Sequence, residues 1–83
     1  MNKSWFVYIV RCADNTLYTG ITNDLDRRIE EHNSGDKGAK YTRGRIPVTL
    51  VYSERFSCRS DAAKREAAIK SMRVGQKREL IAG

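Results

Sequence analysis

The stretch that decides how this chain is read is LYTGITNDLDRRIEEH, Leu17 to His32. Its first part is rich in aromatic and β-branched residues, which suit a strand. Its second part carries helix signals. Asn23 or Asp24 can cap an N-terminus, and Asp24 and Asp26 favour the positive end of a helix. Steps of three and four from Leu25 reach Arg28, Ile29 and His32. At roughly 100° per residue these positions share one arc about 100° wide, while Arg27 lies opposite. The neighbouring arginines are therefore not equivalent: Arg27 belongs in solvent and Arg28 points toward the rest of the fold, with His32 one turn later. Arg28 alone reads as a long side chain snorkelling at the core edge, and His32 alone as a satisfied histidine near a helix end. Together on one inward stripe they point to a site.

Working outward, Trp5 to Cys12 reads as a buried strand, Ala13-Asp14-Asn15 as a turn, and Thr16 to Thr22 as the returning strand of a hairpin. The first helix runs to about Asn33 and stops at Ser34-Gly35. Residues 36–46, DKGAKYTRGRI, are a loop rich in glycine and positive charge. Val48 to Arg55 is a third strand, with Pro47 suited to its first position. Ser60 or Asp61 starts a second helix that reaches about Arg73. Gly75 breaks it, and Gln76 to Ala82 is a short last helix. The order β-β-α-β-α-α predicts an α+β fold with a three-stranded, mostly antiparallel sheet flanked by helices.

The 83 residues are enough for one domain, 1–83, and 40% hydrophobic residues are enough for one small core. Lys and Arg number 16 against 10 Asp and Glu, which points to a polyanionic partner, nucleic acid before an acidic membrane surface. Cys12 and Cys58 match no metal spacing and read as reduced, half-buried thiols of a cytoplasmic protein. MNKSWFVYIV is too short in its apolar part to span a membrane and lacks a leader cleavage site.

The later helix repeats the anomaly of the first. Ala62, Ile69 and Met72 mark its apolar side, and Glu66 sits between them. A carboxylate there is costly unless paired or metal-bound. It reads equally as an ion pair with Arg28 or as a ligand of one hard divalent cation that keeps several waters. The hairpin adds a parity argument. With a three-residue turn, Tyr8 faces Gly20 and Val10 faces Tyr18, so the two tyrosines share a sheet face as diagonal neighbours. A four-residue turn would split them. Gly20 leaves space beside Tyr8 where a phosphate could approach.

In order and spacing these residues resemble the GIY-YIG nuclease superfamily: Val7-Tyr8-Ile9 and Tyr18-Thr19-Gly20 on a hairpin, the arginine-bearing helix Asp24 to His32, then Arg65-Glu66. The runs LYTGITNDLDRRIEEHNSG, KGAKYTRGR and VTLVYSE resemble its small single-domain bacterial (YhbQ-like) branch, and the catalytic domain of Slx-type junction nucleases is also similar. The resemblance spans about residues 5–80. It implies catalytic roles for Tyr8, Tyr18, Arg28, His32 and Glu66, with Glu66 as metal ligand. Two positions depart from the pattern. Val7 replaces a glycine, and no asparagine follows Asn33, so the late asparagine of many members is missing or replaced by Gln76 or Lys77.

The chemistry so implied is metal-dependent phosphodiester hydrolysis with one Mg²⁺ or Mn²⁺. Arg28 would hold the phosphate with its planar fork. Tyr8 is favoured as general base, its pKa lowered by Arg28 and the cation, with Tyr18 orienting water or phosphate and His32 relaying a proton or binding phosphate. Lys37, Lys40, Arg43 and Arg45 would track the nucleic-acid backbone, unless the loop is merely a solvated charged turn. DNA is the expected partner and RNA the second candidate. No recognition helix or zinc site is evident, so cutting would follow DNA structure, in repair or recombination, or a protein partner would supply specificity. The alternative is a catalytically weak nucleic-acid-binding module or an accessory subunit of a repair assembly.

Overall fold

A computed structural model describes residues 4–35 and 37–83. Strands β1 (Trp5–Arg11), β2 (Leu17–Thr22) and β3 (Thr49–Phe56) and helices α1 (Leu25–Ser34), α2 (Arg59–Lys70) and α3 (Val74–Ala82) follow the order β-β-α-β-α-α. The sheet order is β2-β1-β3, and both pairings are antiparallel. At the hairpin tip the Asn15 N–H donates to the Cys12 carbonyl at 2.9 Å and the Cys12 N–H to the Thr16 carbonyl at 2.8 Å. Asn15 takes a left-handed φ of 69°, which asparagine tolerates. The turn is therefore Ala13-Asp14-Asn15. It sets Tyr8 opposite Gly20 and Val10 opposite Tyr18, the register that places both phenols on one face.

Central strand β1 is buried on both faces. Val7 and Ile9 pack with Ala62 and Ile69 of α2 and with Leu80 and Ile81 of α3. Tyr8, Val10 and Cys12 pack with Leu25 and Ile29 of α1 and with Val48. The sheet is thus sandwiched between α1 on one side and α2 with α3 on the other. Asp24 caps α1 by accepting the Arg27 N–H at 3.1 Å, and Gly35 closes it with φ 87°. The Asn33 amide exchanges two hydrogen bonds with the Val48 backbone, at 3.1 and 2.7 Å, docking the end of α1 beside β3. Arg65 of α2 grips Glu54 of β3 through both Nε and Nη2, and Tyr52 donates to the same carboxylate. That pair is half-buried and bidentate, which makes it stronger than an ordinary surface ion pair.

Some boundaries differ from those expected. Helix α2 ends at Lys70 rather than near Arg73, and Gly75 lies in the first turn of α3 instead of breaking a helix. The break comes where Arg73 turns extended and the Gln76 side chain accepts the Arg73 N–H at 3.0 Å. A glycine is tolerated there because the first turn is not yet a helix interior. Pro47 precedes β3 and follows Ile46 through a cis peptide. Both cysteines are free, but Cys12 is buried and Cys58 exposed rather than both half-buried. Among the described residues no helix is long and apolar enough to cross a membrane.

Ile69, 0% exposed, joins α2 to the β1 core. Ile69→Ala is expected to cost about 2–5 kcal/mol. A chain of this size has a total stability of only roughly 5–12 kcal/mol. Urea unfolding should show a markedly lower midpoint with unchanged slope.

Candidate active site

The site gathers around Tyr8, at the edge of the sheet formed by β2. Strand β1 directs the Tyr8 phenol across β2 onto Gly20, where a Cβ would lie 2.6 Å from the Tyr8 hydroxyl. The space left by Gly20 is therefore filled by the phenol itself. Gly20 admits the ring and does not leave an open path for phosphate, which corrects the sequence-based expectation. Helix α1 brings Arg28 and His32 to the same place, as their helical phase predicts, and leaves Arg27 exposed. The loop before β3 closes over His32. At Gly38 a Cβ would stand 2.8 Å from the His32 Cα, so only glycine lets the loop approach this closely.

The polar atoms form a directed chain. Tyr8 Oη lies 2.8 Å from His32 Nε2, and His32 Nδ1 lies 2.8 Å from Thr42 Oγ1. The Thr42 hydroxyl donates to the Ala39 carbonyl at 3.0 Å. The Arg28 guanidinium lies near enough to the Tyr8 oxygen to act on its ionisation. A carbonyl only accepts, so the Ala39 end of the chain is fixed. Thr42 spends its proton on Ala39 and must accept from Nδ1–H. Nε2 is then bare and accepts the Tyr8 O–H. Counting donors in this way assigns His32 as the neutral Nδ1–H tautomer.

Burial tunes these groups. Tyr8 is 1% exposed, and His32 and Thr42 are 0%. Burial pushes the Tyr8 phenol up to about 12 against the opposing pull of Arg28, while Tyr18 and Glu66 add to the rise. This reverses the sequence-based expectation of a lowered phenol, because loss of hydration outweighs one nearby guanidinium. Burial first, and the Arg28 charge second, hold the His32 imidazole down at about 4. Tyr18 is half-buried, with its ring 6.4 Å from Tyr8 and 5.4 Å from His32. Its other side stacks on Tyr41 at 5.9 Å, and the Arg45 guanidinium covers Tyr41 at 4.1 Å.

Glu66 comes from α2, the helix on the opposite face of the sheet, and not from the α1 side with the other four residues. Its field nevertheless reaches Tyr8. Its side chain is 22% exposed and pairs with Lys70 at 3.3 Å. Arg28 pairs with Glu31 at 2.9 Å, so the ion pair weighed between Arg28 and Glu66 is replaced by two local pairs, one on each helix. Among the described residues no group of three or more His, Cys, Asp or Glu could cage a metal. A lone hard carboxylate with partial solvent access still suits an ion that keeps most of its water shell, and Glu66 fits that role.

The loop cations differ in state. Lys37 and Lys40 are exposed, as is Arg43, while the Lys37 carbonyl accepts from Arg28 at 3.1 Å. Arg45 is a clasp: it bonds Asp14 at 2.9 Å and the Tyr41 carbonyl at 2.7 Å as well as covering the Tyr41 ring. Gln76 caps α3 and is not in the group around Tyr8, so it does not stand in for a late asparagine. Sequence reasoning passed over Thr42 and Tyr41. Both lie in an aperiodic loop, where no helical or strand phase marks a buried residue.

Residues 4–77 match the model of the GIY-YIG catalytic domain, and the chain belongs to that family, whose general activity is nucleolytic. It is 62% identical over 78 residues to a UPF0213 protein of Desulfotalea psychrophila, covering 94% of this chain and 71% of that one. A UPF0213 protein of Natronomonas pharaonis is 53% identical over 82 residues, covering 99% and 95%. Two solution NMR structures share the fold. A UPF0213 protein of Bacillus halodurans gives a TM-score of 0.61 at 44% identity, covering 95% of this chain and 83% of that one. A protein of E. faecalis gives 0.63 at 44% identity, covering 93% and 81%.

Thr42→Val removes the acceptor of His32 Nδ1–H. Imidazole ¹⁵N shifts are expected to lose the pure Nδ1–H pattern, and stability should fall by about 1–3 kcal/mol. Thr42→Ser should restore both. The neutral His32 also makes stability pH-dependent. Its folded pKa of about 4 lies below the 6.5 of a free imidazole, so the unfolded chain binds more protons between the two. Unfolding free energy should fall as pH drops from about 6.5 to 4, by on the order of 3 kcal/mol, and the slope should flatten in His32→Gln. Urea titrations across that range measure it.

Proposed function

We propose that this chain is a divalent-metal-dependent endonuclease that hydrolyses phosphodiester bonds of DNA, directed by DNA structure rather than sequence, with RNA as the second candidate substrate. The observation that carries this reading is the directed chain from Tyr8 through His32 to Thr42, with Arg28, Tyr18 and Glu66 near enough to act on it. It supplies an anion-binding fork and a route for one proton at the same point.

Arg28 holds a non-bridging phosphate oxygen with the guanidinium donors it does not use on Glu31 and the Lys37 carbonyl. The attacking water gives its proton to the Tyr8 oxygen as the Tyr8 proton moves to His32 Nε2. A free phenolate is not needed, which suits a phenol at about 12. The arriving phosphate offsets the Arg28 charge that holds His32 down, so substrate makes the imidazole a better acceptor. Tyr18, more accessible than Tyr8, orients the water or the phosphate. Glu66 is the residue that would hold Mg²⁺ or Mn²⁺, which when bound supplies Lewis-acid stabilisation of charge on the leaving oxygen. Lys37, Lys40 and Arg43 line the approach for the backbone. Such an activity belongs in the cytoplasm, in DNA repair or recombination, with a protein partner as a source of targeting.

One observation favours a second reading, a nucleic-acid-binding module or accessory subunit with little catalysis: the Tyr8 phenol is almost wholly buried. Nicking of supercoiled, flapped and branched DNA with and without Mn²⁺ separates the two. For an enzyme, Arg28→Lys and Glu66→Gln are each expected to lower cleavage about 10²–10³-fold. Glu66→Gln should bind DNA within about threefold of wild type. Wild type that binds but cuts none of these DNAs supports the module.

A further inference from the structure

Two shallow grooves meet at the hairpin tip, outside the group around Tyr8. One, of about 220 Å³, is bordered by Leu17, Tyr41, Val74, Lys77 and Arg78. The other, of about 190 Å³, is bordered by Arg11, Leu17, Arg78 and Ile81. They share Leu17 and Arg78, so they adjoin as a two-part depression between the hairpin and α3. Its border carries three cations and no carboxylate.

We propose that this depression is a second nucleic-acid contact, which holds the phosphodiester backbone of a strand running on from the active site. The proposal rests on the nuclease reading for the identity of the polymer. Three observations support it. First, the cations are uncommitted: the side chains of Arg11, Lys77 and Arg78 make no hydrogen bond or ion pair with described residues, whereas those of Arg28, Arg45, Arg65 and Lys70 are paired. Like charges gathered round one depression repel unless an anion lies between them. Second, the depression is joined to the site. Tyr41 forms its near wall and stacks directly on Tyr18. Third, its walls include apolar surface beside the charge: Val74 is 57% exposed and Tyr41 39%. Alternating cationic and apolar surface matches a strand that presents phosphates and sugars or bases in turn. The hairpin strand β2 therefore separates two stations on the same polymer, with cutting at Tyr8 and Arg28 and holding at Lys77 and Arg78.

The test is equilibrium binding of labelled flapped DNA in EDTA, between roughly 50 and 200 mM salt. The triple variant Arg11→Gln, Lys77→Gln, Arg78→Gln is compared with a control of equal charge loss, Arg55→Gln, Arg59→Gln, Lys64→Gln. The triple variant is expected to bind about ten- to a hundredfold more weakly at the lowest salt. Its slope of log affinity against log salt should be shallower by about 2–3. The control should lose less than about threefold. Equal losses in the two variants, or no loss in the triple, overturn the proposal. If the triple variant does not fold, the Val74 methyl signals of wild type decide: DNA should shift them, and unmoved signals overturn the proposal. Cleavage is measured separately with Mn²⁺. Cleavage with an unchanged salt slope removes the groove and leaves the nuclease. A changed slope without cleavage removes the nuclease and leaves the groove.

Discussion

The structure depends on one buried hydrogen bond, between the Tyr8 hydroxyl and His32 Nε2. Two polar side chains with almost no exposed surface can persist in so small a core only if every polar atom is satisfied. The chain from Tyr8 through His32 and Thr42 to the Ala39 carbonyl meets that condition. Two close approaches make it possible. Gly20 gives the phenol room across β2, and Gly38 lets the loop press on α1 so that Thr42 reaches the imidazole. The same burial that makes the bond necessary sets its chemistry, keeping Tyr8 protonated and His32 neutral.

The charges at the site are kept apart. Arg28 leans on Glu31 of its own helix and Glu66 on Lys70 of its own helix. A direct Arg28–Glu66 pair would cancel the fork and the carboxylate that the proposed phosphate and ion contacts require. Local i,i+3 and i,i+4 partners are weak and half-exposed, so an incoming ligand displaces them at small cost. The two groups stand on helices from opposite faces of the sheet.

The loop before β3 has a double role. Ala13 N–H donates to the Arg45 carbonyl, and Arg45 clasps Asp14 and Tyr41, so the loop is tied to the hairpin tip. Part of its positive charge therefore serves the fold. The stack from Arg45 through Tyr41 to Tyr18 transmits that tie to the site. Its exposed lysines are what is left for an external anion.

The sequence by itself determined the element order and the inward phase of Arg28 and His32, while the hairpin bonds chose the three-residue turn over the four-residue one. The first two follow from local periods: two residues in a strand and 3.6 in a helix. It also marked Glu66 as a carboxylate out of place. Only the tertiary structure decided what those groups touch. Glu66 arrives from the far face of the sheet, Gly20 is filled by Tyr8, Gln76 caps a helix, and Thr42 rises from an aperiodic loop to hold His32. The direction of the Tyr8 shift was likewise beyond the sequence, because hydration is lost to chain segments far apart in number. Periodicity says which way a side chain points; only packing says what it meets and how much water it loses.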